Sequence, residues 1–200
     1  CVYLSADRQV CVQKRNSYTF KLKGFMEGKM KILDTVRKRR SIRKFLSKEI
    51  PNTIIDNLKE ALIWAPSAGN LQARKFYFVK DKRIKEKLAE AALNQNFIAK
   101  APLAIVACAD SNIRLHYGER GETLYTIQDA AASIMGMMLV AHEAGLGSVW
   151  VGAFNEREVS KILRLPENLR PVAIIPVGYP SSIPSAPSRV SKEYAICELY

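Results

Sequence analysis

Apolar positions along this chain repeat with two periods, and the alternation between them sets out the elements. Ile54, Ile55, Leu58, Ala61 and Leu62 recur at helical spacing after the start signal of Pro51 and Thr53, and the stripe runs on through Trp64. Upstream, Ile32, Leu33 and Val36 form a shorter helical stripe that stops at a basic cluster. PSAGN (66–70) is turn chemistry. KFYFVK (75–80) reads as a strand, 81–93 as a helix with a charged outer face, and LAIVACA (103–109), after Pro102, as a buried strand. A polar loop containing Gly118 and Gly121 leads to the longest helix, 123–143, which Gly145 stops. GSVWVGAF (147–154) reads as a buried strand with Trp150 in the core, followed by a turn. Asn155 caps a helix reaching Leu163. The last core strand covers 171–178, with Pro176 suggesting an edge or irregular end. Three prolines in YPSSIPSAPSR hold the tail extended over a surface.

Strands separated by helices predict an α/β or α+β domain around a mixed sheet. The 123–143 helix is apolar on nearly every face, so other elements or a second subunit must bury it, which favours a dimer. Residues 1–29 lack clear periodicity and read as an N-terminal extension, with the domain occupying 30–200.

Charge changes this picture only at the front of the chain. The net charge is +12, but residues 1–50 carry 14 Lys and Arg against 4 Asp and Glu, leaving 17 against 15 for the rest. A whole-domain nucleic-acid footprint is therefore not supported. The four cysteines, at 1, 11, 108 and 197, have no CxxC spacing, and with two histidines they make neither a metal site nor a disulfide framework; a reducing cytoplasm is the expected compartment. The first thirty residues have no apolar signal-peptide core. The longest apolar run, AAASIMGMMLVA (130–141), falls short of the roughly 20 residues of a membrane span, so no membrane association is expected.

Standard catalytic motifs are missing: HExxH, GxSxG, the P-loop and GxGxxG do not occur. Neither His116 nor His142 has a neighbouring nucleophile that suggests a triad. Chemistry without side-chain acids, nucleophiles or metal is chemistry left to a cofactor. A flavin mononucleotide would need Arg forks and a hydroxyl for its phosphate, a cation at its pyrimidine edge, a backbone N–H at N5, and small residues against one ring face. The chain offers Arg39, Arg40, Ser41 and Arg43 inside RKRRSIRKF (37–45), the PSAGN turn with Asn70, the small turn Val151-Gly152-Ala153, and Arg189 in the tail.

In order and spacing, RRSIRKF, APSAGNLQ, GERGETLYTIQDAAASIMGMMLVAHEAGLGSVWVGAF and VGYP resemble the FMN-dependent nitroreductase family over about residues 31–190. The resemblance implies an α+β fold with a mixed sheet flanked by helices, an intertwined homodimer, and FMN at each of two subunit interfaces. It implies Arg39 and Ser41 at the phosphate and ribityl chain with Arg40 in support, Arg43 at the pyrimidine edge, and Arg189 returning over the phosphate. Pro66, Ser67 and Ala68 would line the ring from the partner subunit, and Asn70 would bond ribityl or pyrimidine atoms. Val151 and Gly152 would turn backbone toward N5 and O4. Gln128 and Asp129 fall near the cofactor and interface in that pattern, and could equally form a buried polar pair.

The implied reaction takes hydride from NADH or NADPH and reduces a nitroaromatic, quinone or similar small-molecule acceptor in a ping-pong cycle. Reductive dehalogenation or flavin breakdown on the same fold stays open, as does, more remotely, a basic-armed nucleic-acid module. Many relatives follow the turn with Gln-Pro-Trp, whereas Gln72 here precedes Ala73 and Arg74. The 117–123 loop is the candidate lid over the open ring face.

Overall fold

The computed structural model describes residues 31–199. The chain divides into two compact units, residues 1–37 and 38–200. Of the first, only helix α1 (Lys31–Lys38) is described, and it ends where the helical stripe was expected to meet the basic cluster. The expected extension 1–29 and the domain start at Met30 lie outside the described residues.

The second unit is built on a four-stranded sheet, β1 (Arg74–Val79), β2 (Leu103–Asp110), β3 (Gly147–Ser148) and β4 (Leu169–Gly178), in the order β1-β2-β4-β3. All three strand pairs are antiparallel; among the described residues, the parallel component of the mixed arrangement is the bridge between Ser41 and Ser148. A register shift interrupts β2–β4 between Ala107 and Cys108.

β2 shows why the sheet is covered twice. Its side chains alternate across the sheet, so Leu103, Ile105 and Ala107 enter one core, while Ala104, Val106 and Cys108 enter the other. The first core is closed by α2 (Asn52–Ile63), through Ile55, Leu58 and Leu62, and by α6 (Thr126–Glu143), through Ile134, Met137, Met138 and Ala141. The second is closed by α3 (Lys82–Ala91), α4 (Phe97–Lys100) and α7 (Glu156–Leu163), through Leu88, Ile98 and Val159. Full burial of each Leu or Ile is worth about 1.5–3 kcal/mol. With helices on both faces the architecture is α+β, as expected. Side-chain caps start α3 and α7: Asp81 accepts from the Ile84 amide and Asn155 from the Glu158 amide.

Three expectations need correction. The 117–123 segment is helical, formed by α5 (Arg114–Arg120) and a π-helical turn (Gly121–Tyr125) running into α6; its break is confined to Gly118 at φ 58°. The strand expected over 147–154 shrinks to Gly147–Ser148 plus a bridge at Val151, and Trp150 is 41% exposed rather than core. Pro176 lies inside central β4, opposite Ala104. Its carbonyl accepts from Val149, so its missing N–H faces the side where β3 has already ended.

The helical run Ser111–Glu143 is long and apolar enough to cross a bilayer by length and composition. Its apolar side chains Ile134, Met137 and Ala141 are instead completely buried in the first core, and Ala130 is completely buried as well.

Candidate functional site

The basic segment is placed by backbone pairing. Ser41 bridges Ser148, and the Ile42 amide donates to the Ser148 carbonyl at 3.0 Å. Phe45 bridges Pro180, Leu46 N–H donates to Tyr179 O at 2.9 Å, and Ser181 N–H to Lys44 O at 3.0 Å. Residues 41–46 are thus held between β3 and the chain leaving β4. Ile42 is buried against Gly147, where a Cβ would come within 2.5 Å of the isoleucine Cγ1. Extended backbone sends successive side chains to opposite sides, so with Ile42 inward, Ser41 and Arg43 face outward.

Arg39 is the electrostatic focus. Its Nε and Nη1 are buried and have no hydrogen-bond partner among the described residues. Burial lowers its pKa from the usual arginine value, and the nearby charges of Arg189 and Arg40 lower it further. Arg40 Nη1 donates to the Arg39 carbonyl at 2.9 Å, and Arg189 Nη1 to Ser188 O at 3.0 Å. Among the described residues, no carboxylate pairs with Arg39 or Arg189. Hydrogen bonds to charged groups are worth about 1.5–3 kcal/mol each, and burying such donors unmet is costly. A dianionic phosphate supplies the missing acceptors and the missing charge, so these residues fit the phosphate end of FMN.

A second constellation shapes the 66–70 turn. The backbone is left-handed at Gly69 (φ 54°), Asn70 (φ 56°) and Gln72 (φ 53°); at the two non-glycines this costs on the order of 1 kcal/mol each. Ser67 Oγ accepts from the Gln72 amide at 3.1 Å, and Asp129 Oδ1 accepts from the Ala68 amide at 3.0 Å. Arg74 donates to Ala65 O at 2.7 Å, Ile63 O at 3.3 Å and Pro66 O at 3.4 Å. Burial lowers the Arg74 pKa, and Asp129 acts against that shift. Tyr117 of α5 lies with its hydroxyl directly over Gly69 and packs edge-on against Tyr125, ring centroids 5.5 Å apart.

The expected site residues therefore fall in groups. Arg39, Arg40 and Arg189 come together, with Ser41 beside Ser148. Pro66, Ser67, Ala68 and Asn70 form a separately anchored turn. Arg43 stands apart, its guanidinium 6.0 Å over the Phe97 ring. Gln128 is exposed on α6, while its neighbour Asp129 is buried and holds the turn. Val151 is a correction: its amide donates to Ile174 O at 2.9 Å and its carbonyl accepts from Ile174 N at 3.0 Å, so it has no free donor. The Gly152 amide has no partner among the described residues. Arg74, which was given no ligand role, holds three backbone carbonyls, a task that has no sequence signal to separate it from a solvated arginine at the start of a strand.

A cavity of about 1120 Å³ opens elsewhere, lined by Lys48, Lys80, Lys82 and Lys85 among others. Four of its five lysines are already engaged: Lys85 with Ala101 O at 2.5 Å, Lys80 with Asn52, Lys82 with Glu86, and Lys48 over the Tyr179 ring.

The family model of the nitroreductase family matches residues 36–113 and 91–179. The chain belongs to this family. It is 31% identical over 161 residues to a putative NADH dehydrogenase/NAD(P)H nitroreductase of Methanothermobacter thermautotrophicus, covering 78% of this chain and 81% of that one. It is 28% identical over 176 residues to an FMN reductase [NAD(P)H] of Bacillus subtilis, covering 81% and 71%. An iodotyrosine deiodinase of Haliscomenobacter hydrossis is 28% identical over 184 residues, covering 78% and 82%. Among solved structures, that of B. megaterium NfrA2 superposes with a TM-score of 0.78 at 30% identity, covering 84% of this chain and 74% of that chain.

Proposed function

We propose that this nitroreductase-family chain is an NAD(P)H-dependent FMN oxidoreductase working as a cytoplasmic homodimer. The observation that carries it is Arg39, whose two buried donors meet no acceptor among the described residues while Arg40 and Arg189 add positive charge around them. Similarity to an FMN reductase [NAD(P)H] and to an NAD(P)H nitroreductase supports the same cofactor pair.

Arg39 Nε and Nη1 would bind phosphate oxygens, with the Ser41 hydroxyl beside them and Arg189 closing from the tail. Arg43 reaches the pyrimidine edge only by leaving Phe97. The Gly152 amide would donate to the ring, and Pro66, Ser67 and Ala68 would wall one of its faces. Bound FMN would supply the redox chemistry, accepting hydride from NADH or NADPH and reducing a nitroaromatic, quinone or similar acceptor. The protein's part is positioning and electrostatic stabilisation rather than proton transfer.

A second subunit is supported by exposed apolar side chains that a lone chain does not need. Ile63 and Trp64, at the end of α2, are 56% and 81% exposed, Met135 of α6 is exposed, and so are Ile183, Val190, Tyr194, Ile196 and Leu199 of the tail. A reducing compartment suits the described cysteines, both of which are free thiols.

The similarity to an iodotyrosine deiodinase favours one other reading, reductive dehalogenation at the same site. The test is spectroscopic. Purified protein should carry, or take up, yellow FMN that bleaches anaerobically with NADH or NADPH and recovers with a nitroaromatic or quinone. Protein that rejects FMN overturns the proposal; bleached protein reoxidised by iodotyrosine but not by nitro compounds or quinones selects dehalogenation.

A further inference from the structure

The 66–70 turn is gripped from two sides by opposite charges. Arg74, entering β1, fans its guanidinium over Ile63 O, Ala65 O and Pro66 O, the carbonyl-rich end of α2 and the residues leading into the turn. A helix C-terminus is electronegative, and guanidinium has enough donors to serve several carbonyls at once. Asp129 of α6, 61 positions away, takes the Ala68 amide through Oδ1. Its Oδ2 is buried without a partner among the described residues.

Neutral hydroxyls do the comparable work immediately alongside. Ser133 Oγ donates to Leu62 O at 2.8 Å, and Thr126 Oγ1 to Ala73 O at 2.6 Å. Shape alone therefore does not call for buried charge at this turn. What sets the turn apart is its run of left-handed residues, Gly69, Asn70 and Gln72. Backbone of this kind persists only where its surroundings over-determine it. We infer that Arg74 and Asp129 are positioning residues, which together hold the 66–70 turn in the shape that walls the flavin ring. This rests on the flavin reading above. The arginine secures from the α2 end a turn that Asp129 secures from α6.

The test measures FMN affinity and the visible circular dichroism of bound flavin for Arg74→Met, Arg74→Lys, Asp129→Ala, Asp129→Asn and the Arg74→Met/Asp129→Ala pair. Arg74→Met and Asp129→Ala should each weaken FMN binding about tenfold and alter the flavin dichroism. Asp129→Asn keeps an acceptor for the Ala68 amide and should stay within about threefold of the unaltered chain. Arg74→Lys keeps the charge but not the fan, and should fall between. Because both residues act on one turn, the double variant should lose less than the two single losses multiplied together. If Asp129→Ala does not fold, Asp129→Ser takes its place.

FMN affinity and dichroism unchanged in Arg74→Met and Asp129→Ala, whatever happens to their melting temperatures, would overturn the inference and leave the flavin reading intact. An unaltered chain that refuses FMN would overturn both.

Discussion

Ile42 occupies the space that a side chain on Gly147 would need, with its Cγ1 2.5 Å from the position of a Cβ there. The contact seats the Ser41–Ser148 bridge and so places Arg39 and Ser41. Gly147→Ala should overpack this point and cost about 1–3 kcal/mol, seen as a lower melting temperature, and should weaken FMN binding as Ser41 shifts. Ile42→Ala in the same chain removes the clashing Cγ1 and Cγ2 but keeps the Cβ, 2.7 Å from the same point, so the double variant should lose somewhat less stability than the two single losses combined. Gly147→Ala melting with the unaltered protein would show that the packing is loose.

Arg39 separates stability from function. Without an anion, its buried Nε and Nη1 lack partners and its charge adds to those of Arg40 and Arg189. Arg39→Met removes both problems while keeping much of the side-chain volume. In urea melts the FMN-free variant should be at least as stable as the unaltered chain, while FMN titration shows affinity lower by about two orders of magnitude. This is the trade expected where a site is kept electrostatically unsatisfied for its ligand. A less stable variant with unchanged affinity would make Arg39 an ordinary structural arginine.

Much of the fold was readable because its cause is local. LAIVACA is apolar throughout because β2 feeds a core on each face of the sheet, and Asp81 and Asn155 announce helices by capping them. Where partners lie far apart in sequence, legibility failed. Gly118 and Gly121 read as a loop, yet only Gly118 breaks the helix, and the turn after it is closed by π-helical bonding. The apolar run GSVWVGAF promised a longer strand, but its ladder with β4 holds only its first two residues, with a single bond at Val149 and a bridge at Val151, leaving Trp150 half out of the core. Arginines 39, 40 and 189 could be named in advance as one group, and the structure brings them together. The pairing of Asp129 with Ala68 could not, since an acid on an apolar helix declares burial and not its partner.

Cys108 predicts alkaline sensitivity. Burial pushes its thiol up to about 12 from 9.0. The folded chain holds this proton where the unfolded chain releases it, so the stabilisation is complete below pH 9 and declines as pH rises toward 12. Cys108→Ala removes this dependence and leaves a small void, so the variant should be less stable at pH 7 and should lose less stability than the unaltered chain between pH 9 and pH 11. Parallel stability–pH curves from denaturant melts would count against it.

Tyr117 and Gly69 couple α5 to the flavin-side turn. The tyrosine hydroxyl lies where a Gly69 Cβ would project, and Gly69 is held at φ 54°, which a side chain there would have to share. Gly69→Ala thus carries two costs, roughly 1–2 kcal/mol for the left-handed backbone and a further amount for displacing Tyr117. Tyr117→Phe alone should change stability by under about 1 kcal/mol, since the hydroxyl has no hydrogen-bond partner among the described residues and the ring keeps its edge-on contact with Tyr125. Placed in the Gly69→Ala chain, the same change should restore part of the lost stability, the backbone cost remaining. A double-mutant cycle reads that coupling directly. The melts should be accompanied by the KM for a quinone acceptor, which should rise in Gly69→Ala if α5 borders the open ring face. Strict additivity in the cycle, with KM unmoved, would detach α5 from the site and end its candidacy as a lid.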